Sequence, residues 1–297
     1  MWGLRVTVAC YRAFGRFLSR PLILAVVGYF FATDRGGRAA SRAYLERVHA
    51  RIAEPTWSPG PWQSFLHFRE FGLSIADRIS LWGGDQDRFE FVFHGREHFK
   101  KLSEQGKGAI LFGAHLGSFD ALRVLSVQDR VTVNVLMYTR HAPKINEVFR
   151  KISPDVDVRV ISADPDSART TFEIKACIDR GEWVAILGDR VEPSDRNRVC
   201  EAEFLGETAT FPEAPFLLPV ILGCPALMIL ALRRGGGVYE VFAEPLGEGE
   251  AGRAPAEERG RRAQELAASY AARLEHYCCV APRQWFNFYD FWARNPS

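Results

Sequence analysis

A histidine and an aspartate five positions apart form the group in this sequence that points most clearly to chemistry. The segment HLGSFD runs from His115 to Asp120. The apolar stretch before it predicts a buried strand, and FDALRVL predicts the start of a helix, where the dipole favours an ionised carboxylate. If the turn folds the imidazole onto Asp120, one ring nitrogen is held and the other can act as a general base.

The turn itself contains two further candidates for the site. Backbone N–H groups around Gly117 and Ser118 are expected to be able to stabilise an oxyanion or bind substrate. The alternative is purely structural, with a histidine packed at a strand end and an aspartate capping a helix. The order of strand, glycine-bearing turn and helix supports the catalytic interpretation more than the bare spacing does.

Three other polar side chains follow apolar strands. Arg140 comes after VTVNVLMY, and Asp189 and Arg190 come after WVAIL. The ends of parallel strands meet at one edge of a sheet, so these side chains are expected beside His115 in a substrate-binding cleft. A structural salt bridge is the alternative interpretation.

The elements that must position these residues are predicted to be βα units. Apolar strands are predicted at 108–115, 131–138, 156–162 and 183–189. Helix-like segments alternate with them, and Gly235 to Gly237 read as a hairpin turn between two later strands. The pattern predicts an α/β fold with a mixed, mainly parallel sheet and helices on both faces.

The N-terminal part of the chain has a different character. Arg12, Arg16 and Arg20 share one helical face and precede an apolar run at 21–32, which is too short to span a bilayer. We predict a helical, membrane-associating annex over 1–85 and an α/β domain over 86–297, in one structural unit. A buried core helix and a signal peptide are the alternatives.

Composition excludes several classes of function. The 38 Lys and Arg against 36 Asp and Glu leave a net charge of +2, which does not favour nucleic-acid binding. The six cysteines are scattered, as in a protein of a reducing compartment without a disulfide framework. Nucleophile-elbow, Walker A and dinucleotide-binding motifs are absent.

One motif resembles a zinc site. His94 to His98 matches the pattern H-x-x-E-H, whose chemistry needs both histidines on one helical face. His94 instead ends the alternating strand FEFVF and Gly95 follows as a turn residue. We therefore predict no metal and no bound cofactor.

The sequence resembles the lysophospholipid acyltransferase superfamily, and within it the late (secondary) lipid A biosynthesis acyltransferases. The resemblance covers most of the chain. It consists of the basic N-terminus and four blocks in order: GKGAILFGAHLGSFD, ILGDR, FLGETATFPEAPFLLP and PRQWFNF.

This resemblance implies transfer of a fatty acyl group from acyl carrier protein or coenzyme A to a hydroxyl or amine of a lipid-like acceptor. His115 and Asp120 match the family's catalytic pair, and Asp189 and Arg190 match a substrate-facing block. It also implies a peripheral or monotopic position on the cytoplasmic face of the bacterial inner membrane.

Departures from the family pattern bear on the acceptor. Asp120 stands where lipid A acylators usually have Glu, and Glu213-Ala214 stands where Gly-Pro is common. The tail continues FNFYDFW rather than ending in arginines, and is similar to relatives encoded with aryl polyene pigment pathways. A thioesterase using the same pair and a non-catalytic membrane scaffold are the competing hypotheses.

Overall fold

The computed structural model describes residues 21–82, 86–118, 131–137, 158–162, 168–191, 198–246 and 254–293. Helices are α1 at 21–33, α2 Arg35–Arg51, α3 Pro61–Trp82, α4 Arg96–Glu104, α5 Ala168–Asp179, α6 Glu213–Leu222 and α7 Arg259–Val280. Strands are β1 Glu90–His94, β2 Ala109–Gly113, β3 Val133–Met137, β4 Val158–Ser162, β5 Trp183–Leu187, β6 Val199–Phe204, β7 Glu207–Pro212, β8 Ala226–Gly235 and β9 Val238–Pro245.

Seven of these strands form one sheet in the order β1-β9-β8-β2-β5-β3-β4. Every neighbouring pair is parallel except β8 and β9, which form the hairpin expected at the glycine triplet. The prediction of a mixed, mainly parallel α/β sheet is confirmed. Because β2 and β5 are adjacent and parallel, the residues that follow them meet at one edge of the sheet.

Both faces of the sheet are covered, as the continuous apolar strands predict. Along β2 the side chains of Ile110 and Phe112 point into a cluster with Tyr270 of α7. The alternate side chain of Leu111 joins a second cluster with Phe99 of α4. Because successive side chains of a strand point to opposite faces, this one buried strand contributes side chains to both hydrophobic clusters.

The N-terminal helices pack onto this body. Tyr44 of α2 lies in the same hydrophobic cluster as Phe112 of β2. Asp34 caps α2 by accepting from the Gly37 backbone N–H at 2.8 Å. Helix α1 crosses α3 closely, since a Cβ on Gly72 would lie 2.5 Å from a methyl of Val27.

A two-stranded hairpin of β6 and β7 was not predicted. Its turn holds Leu205 and Gly206 at positive φ, 54° and 86°. Two positive values are typical of a type I′ turn, whose usual sequence is Asn-Gly or Asp-Gly. Leucine at the first turn position hides the hairpin from a search for turn residues.

Two predicted segments lie outside the described residues, namely the helix that begins with FDALRVL at 119–125 and the basic face before residue 21. Among the residues that the structure describes, no helix has both the length and the apolar character needed to cross a membrane.

Candidate active site

His115 lies just beyond β2, at the edge of the sheet where the polar cleft was predicted. Its Nδ1 is 2.8 Å from Oδ1 of Asp189, and its backbone N–H donates to Oδ2 of the same carboxylate at 2.8 Å. A quarter of the histidine side chain is exposed, whereas Asp189 is fully buried. The structure thus pairs two residues that are 74 positions apart in sequence.

The carboxylate of Asp189 is held by more than the histidine. Trp285 donates its indole N–H to Oδ2 at 2.8 Å, and the Asn287 amide approaches the same oxygen at 3.4 Å. Burial acts to raise the pKa of Asp189, but the neighbouring imidazole and the donated hydrogen bonds outweigh it, so the pKa lies below its usual value. Asp189 therefore stays ionised inside the protein.

The ionised Asp189 carboxylate next to Nδ1 determines which tautomer the neutral imidazole of His115 adopts. The carboxylate only accepts, so Nδ1 carries the proton and Nε2 carries the lone pair. This is the tautomer that a general base acting through Nε2 requires. Asp189 was expected to face a substrate, but its burial places it behind the histidine.

Asp120 and Arg140 lie outside the described residues. The contact predicted between His115 and Asp120 and the place of Arg140 at the sheet edge therefore stay predictions.

The turn after His115 differs from the sequence-based expectation. The Gly117 N–H donates to the Gln284 carbonyl at 2.9 Å, and the Ser118 N–H donates to the Ala231 carbonyl at 2.8 Å. Because both amides are already engaged within the protein, the structure does not support an oxyanion site at these two groups. Gly117 has φ of 71° and a Cβ there would lie 2.0 Å from the Ala231 oxygen, so glycine serves close backbone packing.

Arg190 is exposed and reaches toward the C-terminal segment. Its Nε donates to the Asn287 side chain at 2.7 Å and its Nη2 donates to the Phe286 carbonyl at 3.0 Å. The guanidinium carbon also lies 5.7 Å from the ring centre of Tyr289. Arg190 therefore holds the segment that backs the site while it faces solvent.

The sequence analysis missed the structural role of residues 284–287. This segment runs beside the histidine turn, with Leu116 bridged to Trp285 and the Phe286 N–H donating to the His115 carbonyl at 2.7 Å. The block PRQWFNF was noted only as part of the resemblance. Trp285 and Asn287 are the sequence signal for this role, but their partner Asp189 lies about 96 residues away in sequence.

The H-x-x-E-H motif is divided between two elements. His94 ends β1 and stacks on Phe242 with ring centres 4.7 Å apart. His98 lies in the first turn of α4, after Gly95 at φ of 78°. In the part of the chain that the structure describes, no group of three His, Cys, Asp or Glu side chains is placed to hold a metal ion.

Comparison with known proteins identifies the class. The family model for bacterial lipid A biosynthesis acyltransferases matches residues 67–294, well over half of the chain. The crystal structure of the 1-acyl-sn-glycerophosphate acyltransferase PlsC from Thermotoga maritima is similar with a TM-score of 0.37 and 14% identity, covering 86% of this chain and 95% of that one. No curated protein matches the sequence.

The protein is therefore an acyltransferase, as the resemblance predicted. More narrowly, the chain belongs to the bacterial lipid A biosynthesis acyltransferase family.

Proposed function

We propose that this acyltransferase moves a fatty acyl group from a thioester, carried by acyl carrier protein or coenzyme A, to a hydroxyl or amine of a lipid-like acceptor, with His115 as general base. The observation that carries the proposal is the 2.8 Å contact between His115 Nδ1 and the buried carboxylate of Asp189. It orients the imidazole and leaves Nε2 as the basic nitrogen.

In the proposed step, Nε2 takes the proton of the acceptor as its oxygen or nitrogen attacks the thioester carbonyl. The new bond to carbon forms a tetrahedral intermediate, and the imidazolium is stabilised by Asp189. The C–S bond then breaks, and the imidazolium returns its proton to the departing sulfur. No acyl-enzyme is formed, so no serine or cysteine nucleophile is needed.

Asp120 keeps the catalytic role that the resemblance implies, so the proposal includes two carboxylates. Asp189 holds Nδ1 and stabilises the charge on the ring. Asp120, the partner within the H-x-x-x-x-D motif, is proposed to help orient His115 and to stabilise the charge on the imidazolium. Asp120→Asn should therefore also lower kcat by about 10² to 10⁴.

The test is transfer of a radiolabelled acyl chain from its thioester to extracted bacterial lipid by the purified protein in detergent. His115→Ala and Asp189→Asn should each lower kcat by about 10² to 10⁴, by analogy with loss of the orienting aspartate in a serine-protease triad. The matched controls are His276→Ala on α7 and Asp179→Asn on α5, since both side chains are exposed and Asp179 pairs with Lys175 of its own helix. Circular dichroism checks that each variant is folded.

Three outcomes would contradict this proposal. A folded His115→Ala variant with near-normal transfer would show that His115 is not the general base. Equal acyl release with no acceptor present would instead favour the thioesterase. A pure protein that is inert toward several thioester donors would favour the membrane scaffold.

Arg190 is proposed to bind the donor phosphate or the developing oxyanion with the N–H groups that do not hold the C-terminal segment. Its exposure and its position next to Asp189 support this role. Arg190→Lys keeps the charge but cannot reproduce the planar fork, so transfer should fall by about tenfold. Unchanged kcat/KM in Arg190→Ala would make Arg190 a purely structural residue.

We also propose that the N-terminal helices attach the protein to a membrane surface, at the cytoplasmic face of the inner membrane. Seven of the ten large apolar side chains that are exposed in the described residues belong to α1 and α3. They are Leu22, Leu24, Val26, Tyr29, Phe30, Trp62 and Phe71. Such a concentration on neighbouring helices is typical of an interfacial surface.

Flotation with vesicles of phosphatidylethanolamine and phosphatidylglycerol tests this surface. Replacing Tyr29, Phe30 and Trp62 together by serine should reduce the bound fraction severalfold, and deletion of residues 1–32 should reduce it further. Phe172→Ser is the matched control, because Phe172 is 71% exposed but lies on α5. A wild-type protein that does not float with the vesicles would refute membrane attachment.

A further inference from the structure

Trp285 lies directly behind the Asp189 carboxylate and has no part in the chemistry proposed above. Its side chain is completely buried, and its indole N–H donates to Oδ2 at 2.8 Å. His115 contacts Oδ1 through its ring and Oδ2 through its backbone. The two carboxylate oxygens are therefore held between the histidine on one side and the indole on the other.

The chemistry of the indole group suits this position. An indole N–H can only donate, so it satisfies an ionised carboxylate and cannot exchange roles with it. A donor of this kind to a buried charge is among the stronger hydrogen bonds in proteins. The indole shares Oδ2 with the His115 backbone N–H, also at 2.8 Å, and with the Asn287 amide at 3.4 Å, so its bond is one of the contacts that oppose rotation of the carboxylate away from the imidazole.

Trp285 is itself held rigidly. Its backbone carbonyl accepts from Nε2 of the buried His67 on α3 at 2.8 Å. Its ring contacts Tyr44 of α2 and Phe204 of β6, with ring centres 5.0 and 5.2 Å apart, and Phe291 at 4.9 Å. Elements from three parts of the chain therefore fix where the indole N–H points.

We propose that Trp285 is a positioning residue of the acyl-transfer site, whose indole N–H holds the Asp189 carboxylate in the orientation that fixes His115. This inference rests on the proposed role of His115 as general base. It adds a residue outside the H-x-x-x-x-D motif, in the buried C-terminal segment that contacts Asp189.

The test compares Trp285→Phe with Trp292→Phe in the full-length protein. Both substitutions keep an aromatic ring in the same cluster and remove one indole N–H, but Trp292 donates to the Phe204 carbonyl at 3.3 Å rather than to a carboxylate. Loss of a hydrogen bond to a charged group should lower kcat by at least about tenfold in Trp285→Phe, with KM nearly unchanged. Trp292→Phe should stay within about twofold of the wild type.

A spectroscopic measurement tests the same contact without relying on catalysis or on the folding of Trp285→Phe. In indole N–H correlation spectra of the ¹⁵N-labelled protein, Asp189→Asn replaces a charged acceptor by a neutral one. One indole proton, that of Trp285, should therefore shift upfield, while the signal of Trp292 stays in place.

The outcomes separate this inference from the function on which it rests. An active His115→Ala would overturn the general-base proposal, and the positioning role with it. An inactive His115→Ala together with wild-type kcat in a folded Trp285→Phe would overturn the positioning role alone. Equal losses in both tryptophan variants, a change confined to KM, or an indole spectrum unaffected by Asp189→Asn would also overturn it.

Discussion

The protein should lose stability on mild acidification because His67 is buried in its neutral form. The size of the loss follows from the surroundings of this side chain. The side chain is fully buried, and its Nε2 must donate to the Trp285 carbonyl because a carbonyl only accepts. Nδ1 then accepts from the Ser41 hydroxyl at 3.0 Å. Burial lowers the pKa of His67 from 6.5 to about 4, the bond to the carbonyl opposes that change, and Arg283 adds to it.

The direction of the change in stability follows from comparing the folded and unfolded states. The unfolded chain takes up the proton near pH 6.5 and the folded chain only near pH 4, so unfolding binds a proton between these values. Stability is therefore retained above pH 6.5 and lost as the pH falls toward 4. The difference between pH 7 and pH 5 amounts to about 2 kcal/mol from this one group, by the linkage relation.

The assay is urea unfolding of the full-length protein in detergent at pH 7 and pH 5. His67→Gln is the test variant, since an amide can still donate to Trp285 and accept from Ser41 but does not titrate. It should lose about 2 kcal/mol less stability on acidification than the wild type does. The Asp189 carboxyl does not titrate between pH 7 and pH 5. Because its pKa is lowered, its contribution to stability is lost only at more acidic pH.

His276→Gln, at an exposed position on α7, is the matched control and should behave like the wild type. Equal acid sensitivity of His67→Gln and the wild type would refute the assignment of a neutral, buried imidazole to His67.

The remaining predictions concern the packing around the site. Gly117→Ala should destabilise the protein by about 2 kcal/mol or more and reduce acyl transfer, because its Cβ would meet the Ala231 carbonyl at 2.0 Å. Gly206→Ala, also at positive φ but in open space, should cost only about 1 kcal/mol in the same urea titration. Asp77→Asn should cost about 2 kcal/mol, since it leaves the mostly buried Arg233, 2.8 Å away, with Glu70 at 3.2 Å as a more distant charged partner. A midpoint of unfolding unchanged by Asp77→Asn would show that this ion pair does not contribute to stability.

Much of the fold could be predicted because local patterns carry it. The uninterrupted apolar run of β2 identifies a strand covered on both faces. The alternation of such strands with helices then implies parallel pairing. For the same reason His115 and Asp189, which both follow buried strands, were expected at one edge of the sheet.

The partner of the histidine could not be predicted in this way. Sequence spacing points to Asp120, five positions from His115, and a contact between these two side chains stays a prediction. Spacing carries no information on Asp189, which the parallel pairing of β2 with β5 brings within 2.8 Å of Nδ1.

The sequence by itself determined the order of the elements, the chemistry of the sheet edge and the family to which they belong. Only the tertiary structure placed Trp285 and Asn287 behind Asp189 and engaged the amides of Gly117 and Ser118 in backbone pairing. The physical reason is that periodicity reports which face of an element is buried, whereas these contacts join segments about 95 to 170 residues apart. Contacts of that kind arise from packing and leave no local pattern in the chain.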